Sequence, residues 1–351
     1  MIIETYLREN VAPQAQKLDR SSAALKMALQ SMGDHSWLAL KVPQDLGGEG
    51  WNELDYRRFQ IALARYSGAL AFLQTQHQSA VSQLAKSDNQ SLQQEYLPHV
   101  ATGKKLIGVG FSHLRRLGKP MMQAVEVEGG YLLTGEVPWI TGWDFFDNFI
   151  IGAALPDGRE LYGMLPFQNS TQTQGGTLTF SSPMELIAMT ATNTVSAKLD
   201  SWFLHRDRLI TIKPPGSIHR SSKKNILHHG FFALGCAYAG LDILRAIGEK
   251  KQLDFIQESW QSLNEKVTRC DRAMLGSLSD KNTTYQQQLQ LRTEAINLAQ
   301  RCSISAVIAS SGAANYLNSA AGRVYREALV FSVSGQTTDV MEASLKAVIS
   351  H

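Results

Sequence analysis

Cysteine, long basic runs and long apolar runs are all scarce in this sequence of 351 residues. Its three cysteines, Cys236, Cys270 and Cys302, lie far apart and form no Cys-x-x-Cys pair. This spacing argues against a disulfide framework or a cysteine metal site, and it predicts buried thiols in a reducing compartment. The net charge is only +3, with no Lys/Arg block, so nucleic acid is not an expected partner.

No apolar run approaches the roughly 18 residues that a membrane-spanning helix needs, and the N-terminal residues do not resemble a signal peptide. We therefore expect a cytoplasmic protein that does not enter a membrane. The sequence also lacks Gly-x-Gly-x-x-Gly after a strand, a Walker loop, His-Glu-x-x-His and Gly-x-Ser-x-Gly. These absences argue against a Rossmann nicotinamide site, a P-loop, a zinc-protease helix and a hydrolase elbow.

Three regions with different residue patterns follow one another. Residues 1–104 have apolar side chains at helical spacing, 105–218 contain short alternating runs separated by turn residues, and 219–351 return to helical spacing. The pattern predicts an α+β fold with an N-terminal helical domain, a central antiparallel β-domain and a C-terminal four-helix bundle.

A predicted hairpin lies at the centre of the β region. Two β-like runs, Gln123–Glu128 and Tyr131–Gly142, flank Gly129-Gly130, and the two glycines predict a tight turn in which both residues have positive φ. Trp139 and Thr141 are two residues apart, so in a strand they lie on the same face. An aromatic wall beside a hydroxyl can hold a planar heterocycle. An ordinary half-buried strand is the alternative.

Several short strings occur in the same order as in one known family. They are Val42-Pro43 with Gly47-Gly48-x-Gly50, Glu95-Tyr96-Leu97-Pro98, Gly135-x-x-x-Trp139-Ile140-Thr141-Gly142 and Arg326-Glu327-Ala328. Together, across nearly the whole chain, they resemble the acyl-CoA dehydrogenase superfamily.

This resemblance implies an FAD-dependent oxidoreductase acting on CH–CH donors, with an acyl-CoA or a related small organic molecule as substrate. It also implies FAD bound between the β-domain and the bundle of a homotetramer or homodimer. The flavin would carry the redox step, and the protein would orient it. The residues that the resemblance assigns to the cofactor are Phe111, Ser112, Trp139, Ile140, Thr141, Gln336 and Thr338.

The catalytic base is where the sequence departs most from the family. Most members have a Glu where this chain has Ser334, and a hydroxyl without an activating partner is a poor base. Some relatives carry the Glu on the first bundle helix, at the position of His228, which stands beside His229. An imidazole can act as a base near pH 7, although paired histidines are also common at exposed helix starts. His77 is a third catalytic candidate, with a structural role as the alternative.

Two further departures affect ligand contacts. The family's acidic, glycine-rich loop is replaced by a basic one in which Arg115, Arg116 and Lys119 either clamp a phosphate or carboxylate or are simply solvated. The Arg-x-x-Phe-Gly segment by which family members reach a neighbouring subunit's FAD is replaced by the short charged connection 248–252. We therefore expect fewer contacts to the adenine end of FAD.

Three hypotheses remain open on the sequence. The first is a flavoenzyme of this superfamily that works without the usual Glu. Flavin monooxygenases are of this kind, because they need no base for an α-proton, and His77, His113 or Ser334 would then stabilise a flavin–oxygen adduct. The second is an acyl-CoA dehydrogenase with a relocated base, for which His228 is the candidate. The third is a non-catalytic descendant that uses the fold for binding, and the retained Trp139-Ile140-Thr141 argues against it.

Overall fold

The computed structural model describes residues 2–349, and it begins with a helical region. Its longer helices start at polar side chains that cap the first turn: Ser21 Oγ accepts from the Ala24 amide, and Asn52 Oδ1 accepts from the Asp55 amide. The helices of this region are α1 Ile2–Tyr6, α2 Ala15–Arg20, α3 Ser22–Asp34, α4 Glu53–Tyr66, α5 Gly68–Leu84 and α6 Gln90–Val100.

A single sheet follows, and within residues 2–349 it has nine strands. Eight follow the order β6-β7-β8-β3-β2-β4-β5-β9, and β1 lies beside β4. All neighbours are antiparallel except β1 with β4 and β2 with β4, so the predicted antiparallel domain is a mostly antiparallel one. The strands are β1 Ile107–Gly110, β2 Met122–Val127, β3 Gly130–Thr141, β4 Asn148–Ala154, β5 Glu160–Pro166, β6 Ser170–Thr171, β7 Thr177–Phe180, β8 Thr194–His205 and β9 Leu209–Lys213.

The predicted hairpin is present, but its turn lies one residue earlier than the two glycines suggest. Val127 pairs with Gly130, so the turn residues are Glu128 and Gly129. Gly129 has φ +77°, whereas Gly130 belongs to β3. A Cβ on Gly130 would lie 2.2 Å from the Leu204 carbonyl oxygen of β8. The first glycine therefore serves the turn, and the second allows two strands to approach closely.

The C-terminal region is a bundle arranged around one central helix, α8, which packs on α4, α9, α10 and α11. A Cβ on Gly235 would lie 2.3 Å from the Ile61 carbonyl oxygen of α4, and one on Gly240 would lie 2.7 Å from the Cys302 carbonyl carbon of α10. The small residues thus permit α8 to approach α4 and α10 closely. The helices are α7 Ser217–Lys224, α8 Gly230–Lys251, α9 Asp254–Ser277, α10 Tyr285–Ser310, α11 Ala320–Val333 and α12 Thr338–Ile349.

Helix α8 is long and apolar enough, by length and composition, to cross a membrane. Of its most apolar window, 67% is buried inside the protein, as in the core helix of a folded domain. The predicted domain boundary at 104/105 falls between α6 and β1, and the boundary at 218/219 falls within α7. Residues 1, 350 and 351 of the predicted ranges lie outside the described residues.

Candidate active site

Two adjoining cavities lie where the sheet meets the helices. The larger, of about 920 Å³, lies between β3, the segment 186–189 and the α11–α12 turn. The smaller, of about 360 Å³, lies between α4, α5, β3 and the loop before α8. The two cavities therefore adjoin each other. The side chains or backbone common to both walls are those of Phe72, Ser112, Arg115, Trp139, Thr141, Ser334 and Gly335.

Strand β3 presents Trp139 and Thr141 side by side on this common wall, as their spacing predicted. Trp139 is 48% exposed, whereas Thr141 is 6% exposed and its Oγ1 lies 2.9 Å from Thr194 Oγ1. An uncovered indole on a cavity wall offers a stacking surface for a planar ring, and the paired hydroxyls offer a polar edge.

The α11–α12 turn forms the opposite side of the large cavity. Gln336, Thr337 and Thr338 line the cavity where α12 begins, so the helix N-terminus opens onto it. Backbone N–H groups at a helix N-terminus favour a negatively charged group nearby. This end of the large cavity therefore suits the anionic part of a ligand.

The structure divides the residues that the sequence assigned to a cofactor. Ser112, Trp139, Thr141, Gln336 and Thr338 lie on the wall of the large cavity. The remaining two, Phe111 and Ile140, do not line it.

Phe111 lines the small cavity instead. Ile140 is 1% exposed and contributes to neither wall, because its side chain projects from the face of β3 opposite to Trp139 and Thr141. The Ile140 side chain therefore does not reach the large cavity, and the assignment of Ile140 to the cofactor stays a prediction.

His77 is a structural residue, which corrects its prediction as a catalytic one. It is fully buried on α5 and lines neither cavity. Its Nδ1 accepts from the Ile107 amide at 2.9 Å and its Nε2 donates to the Val100 carbonyl at 3.1 Å, so both ring nitrogens are used. Burial lowers the pKa of His77 to about 4, which keeps the ring neutral.

His113, suggested for a flavin–oxygen adduct, is also outside both cavities. Its Nε2 donates to the Gly152 carbonyl at 2.9 Å, and burial lowers its pKa to about 4. The two deeply buried histidines therefore tie secondary-structure elements together.

Positive charge dominates the wall of the small cavity. Lys41, Arg57 and Arg115 line it, and no Asp or Glu does so among the residues that the structure describes. Glu53 lies behind the wall, where Arg57 Nε donates to it at 2.7 Å and Lys41 also pairs with it. Burial raises the pKa of Glu53, but Arg57 and Lys41 outweigh this effect and hold that pKa below its ordinary value. One carboxylate therefore serves two of the three cations.

Arg115 has no such partner. Its Nε donates to Ser222 Oγ at 3.0 Å, and no carboxylate in residues 2–349 lies within ion-pair distance of it. Arg115 belongs to both walls, and its positive charge acts on His229 of the small cavity. By contrast, Lys119 is exposed and lines neither cavity.

His229 and Ser334 form a pair on the wall of the small cavity. His229 Nδ1 lies 2.9 Å from Ser334 Oγ, so the serine has the imidazole partner that the sequence did not reveal. Gly335 has φ +58°, and a Cβ there would lie 2.2 Å from His229 Cδ2. Glycine at 335 therefore makes room for the imidazole ring and permits the turn.

A buried arginine holds the two segments that carry this pair. Arg292 on α10 is 2% exposed and donates at 2.9 Å to the carbonyls of Ser334 and Gly335. It also donates at 2.9 Å to the Ile226 carbonyl, in the loop before α8. The α11–α12 turn and the histidine loop are thus fixed to one side chain.

His228 also lines the small cavity, with Nε2 at 3.4 Å from Glu53 Oε1 and 32% of its side chain exposed. Burial, and then Arg57 and Lys41, lower its pKa well below the ordinary value.

His229 has a lowered pKa for the same kind of reason: burial first, and then Arg292 and Arg115. Both imidazoles are therefore neutral at pH 7, and a neutral imidazole can accept a proton. Sequence reasoning assigned no role to His229. The signal that was available was its place next to His228, just before an apolar helix.

Glu327 is not available as a base. It is fully buried, pairs with Arg323 at 2.7 Å and accepts from the Gly68 amide, and it lines neither cavity. Burial raises its pKa. Among residues 2–349, no three His, Cys, Asp or Glu side chains gather as a metal site would require.

Comparison with known proteins identifies the family to which this architecture is related. Residues 2–104 match the family described as the N-terminal domain of acyl-CoA dehydrogenases. Mitochondrial isovaleryl-CoA dehydrogenase of Arabidopsis thaliana is 21% identical in an alignment 362 positions long, which covers 96% of this chain and 87% of that protein. The chain is therefore similar to acyl-CoA dehydrogenases along nearly its whole length.

Two further comparisons extend this relationship. The 3-(aryl)acrylate reductase of Clostridium sporogenes is 21% identical over 76% of this chain and 72% of that protein. The solved glutaryl-coenzyme A dehydrogenase in complex with glutaryl-CoA superimposes with a TM-score of 0.82 at 16% identity, over 100% of this chain and 94% of that one. The fold is thus that of the acyl-CoA dehydrogenases, and the relatives support an acyl-CoA dehydrogenase-like oxidoreductase.

Proposed function

We propose that this protein is a flavin-dependent oxidoreductase that holds FAD in the large cavity and the reacting end of its substrate in the small one. The observation that carries the proposal is the common wall, where Trp139, Thr141 and Ser334 face both cavities. A redox cofactor and a substrate must lie close together for electrons to pass between them. Two adjoining cavities that share a wall place them side by side.

The residues present fit the parts of FAD. The face of Trp139 would take the flat ring, and the hydroxyls of Thr141 and Thr194 would meet its polar edge. The N-terminus of α12, with Gln336 and Thr338, would hold the diphosphate. FAD, when bound, supplies the two-electron redox chemistry that these side chains cannot.

The small cavity contains groups that can handle a substrate proton. We propose that His229 accepts this proton and that Ser334 orients the imidazole through their 2.9 Å contact. His228 is the second candidate, because it lines the same cavity. An acyl-CoA or a related small organic molecule is the proposed substrate, since the names of the relatives point to both kinds.

The structure bears on the two alternative functions through different residues. The flavin monooxygenase hypothesis named three side chains, and of these His77 and His113 line neither cavity, whereas Ser334 lines both. A non-catalytic descendant has no need of a neutral imidazole held at a cavity wall by a buried arginine. The arrangement of His229, Ser334 and Arg292 therefore favours the enzyme.

A homo-oligomer, predicted as a tetramer or dimer, is also part of the proposal. Apolar side chains on α10, α11 and α12 are exposed, and those of Leu329 and Val333 also line the large cavity. A second copy of the chain would bury this surface. Light scattering would then give a mass of two or four chains, whereas a monomer would contradict this part. The side chains are Ile308, Leu329, Val333, Leu345 and Val348.

The visible absorption spectrum of the purified protein, with and without added FAD, tests the proposed function. We expect flavin bands near roughly 370 and 450 nm that survive desalting. Anaerobic addition of the substrate, which is isovaleryl-CoA, another acyl-CoA or a related small organic molecule, should then bleach the band at the longer wavelength. A colourless protein that gains no thermal stability from FAD would refute the proposal.

A further inference from the structure

The small cavity carries positive charge that the protein does not neutralise. Lys41 and Arg57 share Glu53, and Arg115 has no carboxylate partner within the described chain. His228 and His229 on the same wall are neutral, so they do not supply the missing negative charge. A ligand that fills this cavity must therefore meet an unmatched guanidinium.

The charge of the wall restricts the class of ligand. A purely aliphatic group would displace water from Arg115 without offering a counter-charge, which is unfavourable for a partly buried cation. A carboxylate would pair with the guanidinium through two parallel hydrogen bonds. We propose that the small cavity binds the carboxylate of a small organic acid and that Arg115 recognises it.

This proposal rests on the proposed function, because it names the class of substrate that the small cavity takes. Arg115 lies where the two cavities meet, with Trp139 and Thr141 on the same common wall. A carboxylate held there brings its neighbouring carbon atoms next to the large cavity, where the redox partner would lie. The volume of about 360 Å³ admits a short chain or one aromatic ring. The apolar part of the wall consists of Phe72, Val109, Phe111 and Phe232.

Binding of a carboxylate also changes the charge balance around His229. Arg292, Arg115 and Arg57 face it from three different elements, and with His228 they disfavour its protonated form. A bound anion opposes these charges and raises the proton affinity of the imidazole. The substrate would thereby make His229 a better proton acceptor.

The same change acts on His228, which faces Glu53 as well as Arg57, Lys41 and Arg292. Because both imidazoles become more basic, we expect binding of a carboxylate to be accompanied by proton uptake, which grows as the pH falls below 6.5 towards their lowered pKa values.

The carboxylate can belong to a free acid or to the far end of an acyl-CoA, and calorimetry distinguishes these sources. FAD-loaded protein is titrated with cinnamate and with cinnamamide, which has the same carbon skeleton but no charge. It is also titrated with glutaryl-CoA and with isovaleryl-CoA. We expect at least one carboxylate to bind about tenfold more tightly than its neutral counterpart, and the pair that shows this identifies the source.

Variants in one loop test the role of Arg115. Arg115→Gln should abolish the preference for the carboxylate and leave binding of cinnamamide or isovaleryl-CoA unchanged. Arg115→Lys keeps the charge but not the two parallel hydrogen bonds, so it should retain part of the preference. Partial retention would show that loss of charge rather than misfolding is responsible for the effect of Arg115→Gln. Lys119→Gln removes a charge from the same loop outside both cavities, so it should behave as the wild type.

Equal binding of charged and neutral members in both pairs would overturn the proposal, as would an unchanged preference in Arg115→Gln. Titrations in two buffers of different ionisation enthalpy should show proton uptake on binding of the preferred carboxylate. Its absence would overturn the coupling to His228 and His229. If the proposed function itself is wrong, a different result is expected: the wild type should show no flavin bands. A protein without flavin can still prefer a carboxylate.

Discussion

The walls of the two cavities share side chains and positive charge, but the rest of their lining differs. The large cavity has Arg115 and Arg116, an uncovered indole, paired hydroxyls and a helix N-terminus that favours an anion at one end. The small cavity has three cationic side chains and two neutral imidazoles. The difference supports the proposal that the large cavity receives a flat ring with an anionic tail, whereas the small one recognises a small charged group.

The largest expected effect separates the two imidazoles of the small cavity. His229→Gln should slow substrate-dependent flavin reduction by at least about 100-fold, because general-base catalysis contributes about that much or more. His228→Gln is the matched control and should have a smaller effect.

The pH profile of the wild type provides a second readout. Because the pKa of His229 is lowered, its neutral form persists below pH 6.5, and the rate should fall only as the pH approaches the lowered value. If His228→Gln slows flavin reduction as much as His229→Gln does, the assignment of the base is wrong.

The next effect concerns the clamp behind the small cavity. Arg292→Met removes hydrogen bonds to the Ser334, Gly335 and Ile226 carbonyls, and it should lower the free energy of unfolding by about 3 kcal/mol. Urea unfolding measures this change. Arg301→Met on the exposed face of the same helix should stay within about 0.5 kcal/mol of the wild type. Similar losses in both variants would show that Arg292 is not a specific clamp.

A smaller effect is expected at the wall of the large cavity. Trp139→Ala removes the stacking surface and should weaken FAD binding by about 2 kcal/mol, or roughly 30-fold in Kd. Fluorescence titration of FAD measures the change. Trp260→Ala, on α9 and away from both cavities, should leave the affinity unchanged. Equal FAD affinities in the two variants would show that Trp139 does not contribute to FAD binding.

The smallest effect comes from a histidine outside both cavities and concerns stability alone. His77 has a folded-state pKa of about 4, below its unfolded value of about 6.5, so the unfolded chain binds more protons between these values. The contribution of His77 to the free energy of unfolding is fully present above pH 6.5, and it is lost progressively as the pH falls from 6.5 through the folded-state pKa of about 4. From pH 7 to 5.5 we expect a loss of about 1 kcal/mol from this residue. In His77→Gln this part of the pH dependence should vanish, and an unchanged slope would contradict its neutral state.

Local patterns in the sequence predicted the helices, most strands and the common face of Trp139 and Thr141, because period and turn chemistry are local properties. The short strand β6 lacked a clear pattern. The turn at Gly129 was misplaced by one residue because the second glycine is needed for the close approach of β8, which lies far away in the sequence. The cytoplasmic location stays a prediction.

The contents of the site were harder to predict, because they depend on which distant segments meet. His229 and Ser334 are 105 residues apart and meet through Arg292, and no spacing rule connects them. His77 was attractive as an isolated histidine in a neutral helix, but its partners are two backbone groups beyond that helix. The basic loop was noticed, yet only the fold shows that Arg115 turns inward while Lys119 stays in solvent.

The most direct test of the central claim is the flavin absorption spectrum of FAD-loaded protein during titration with the carboxylate that calorimetry selects. If the two cavities adjoin as described, a ligand in the small one touches the flavin, and the bands should shift in a saturable way at the calorimetric affinity. Arg115→Gln should require a roughly tenfold higher ligand concentration for the same shift. A protein that retains no FAD, or flavin bands that do not respond when the carboxylate binds, would contradict the account.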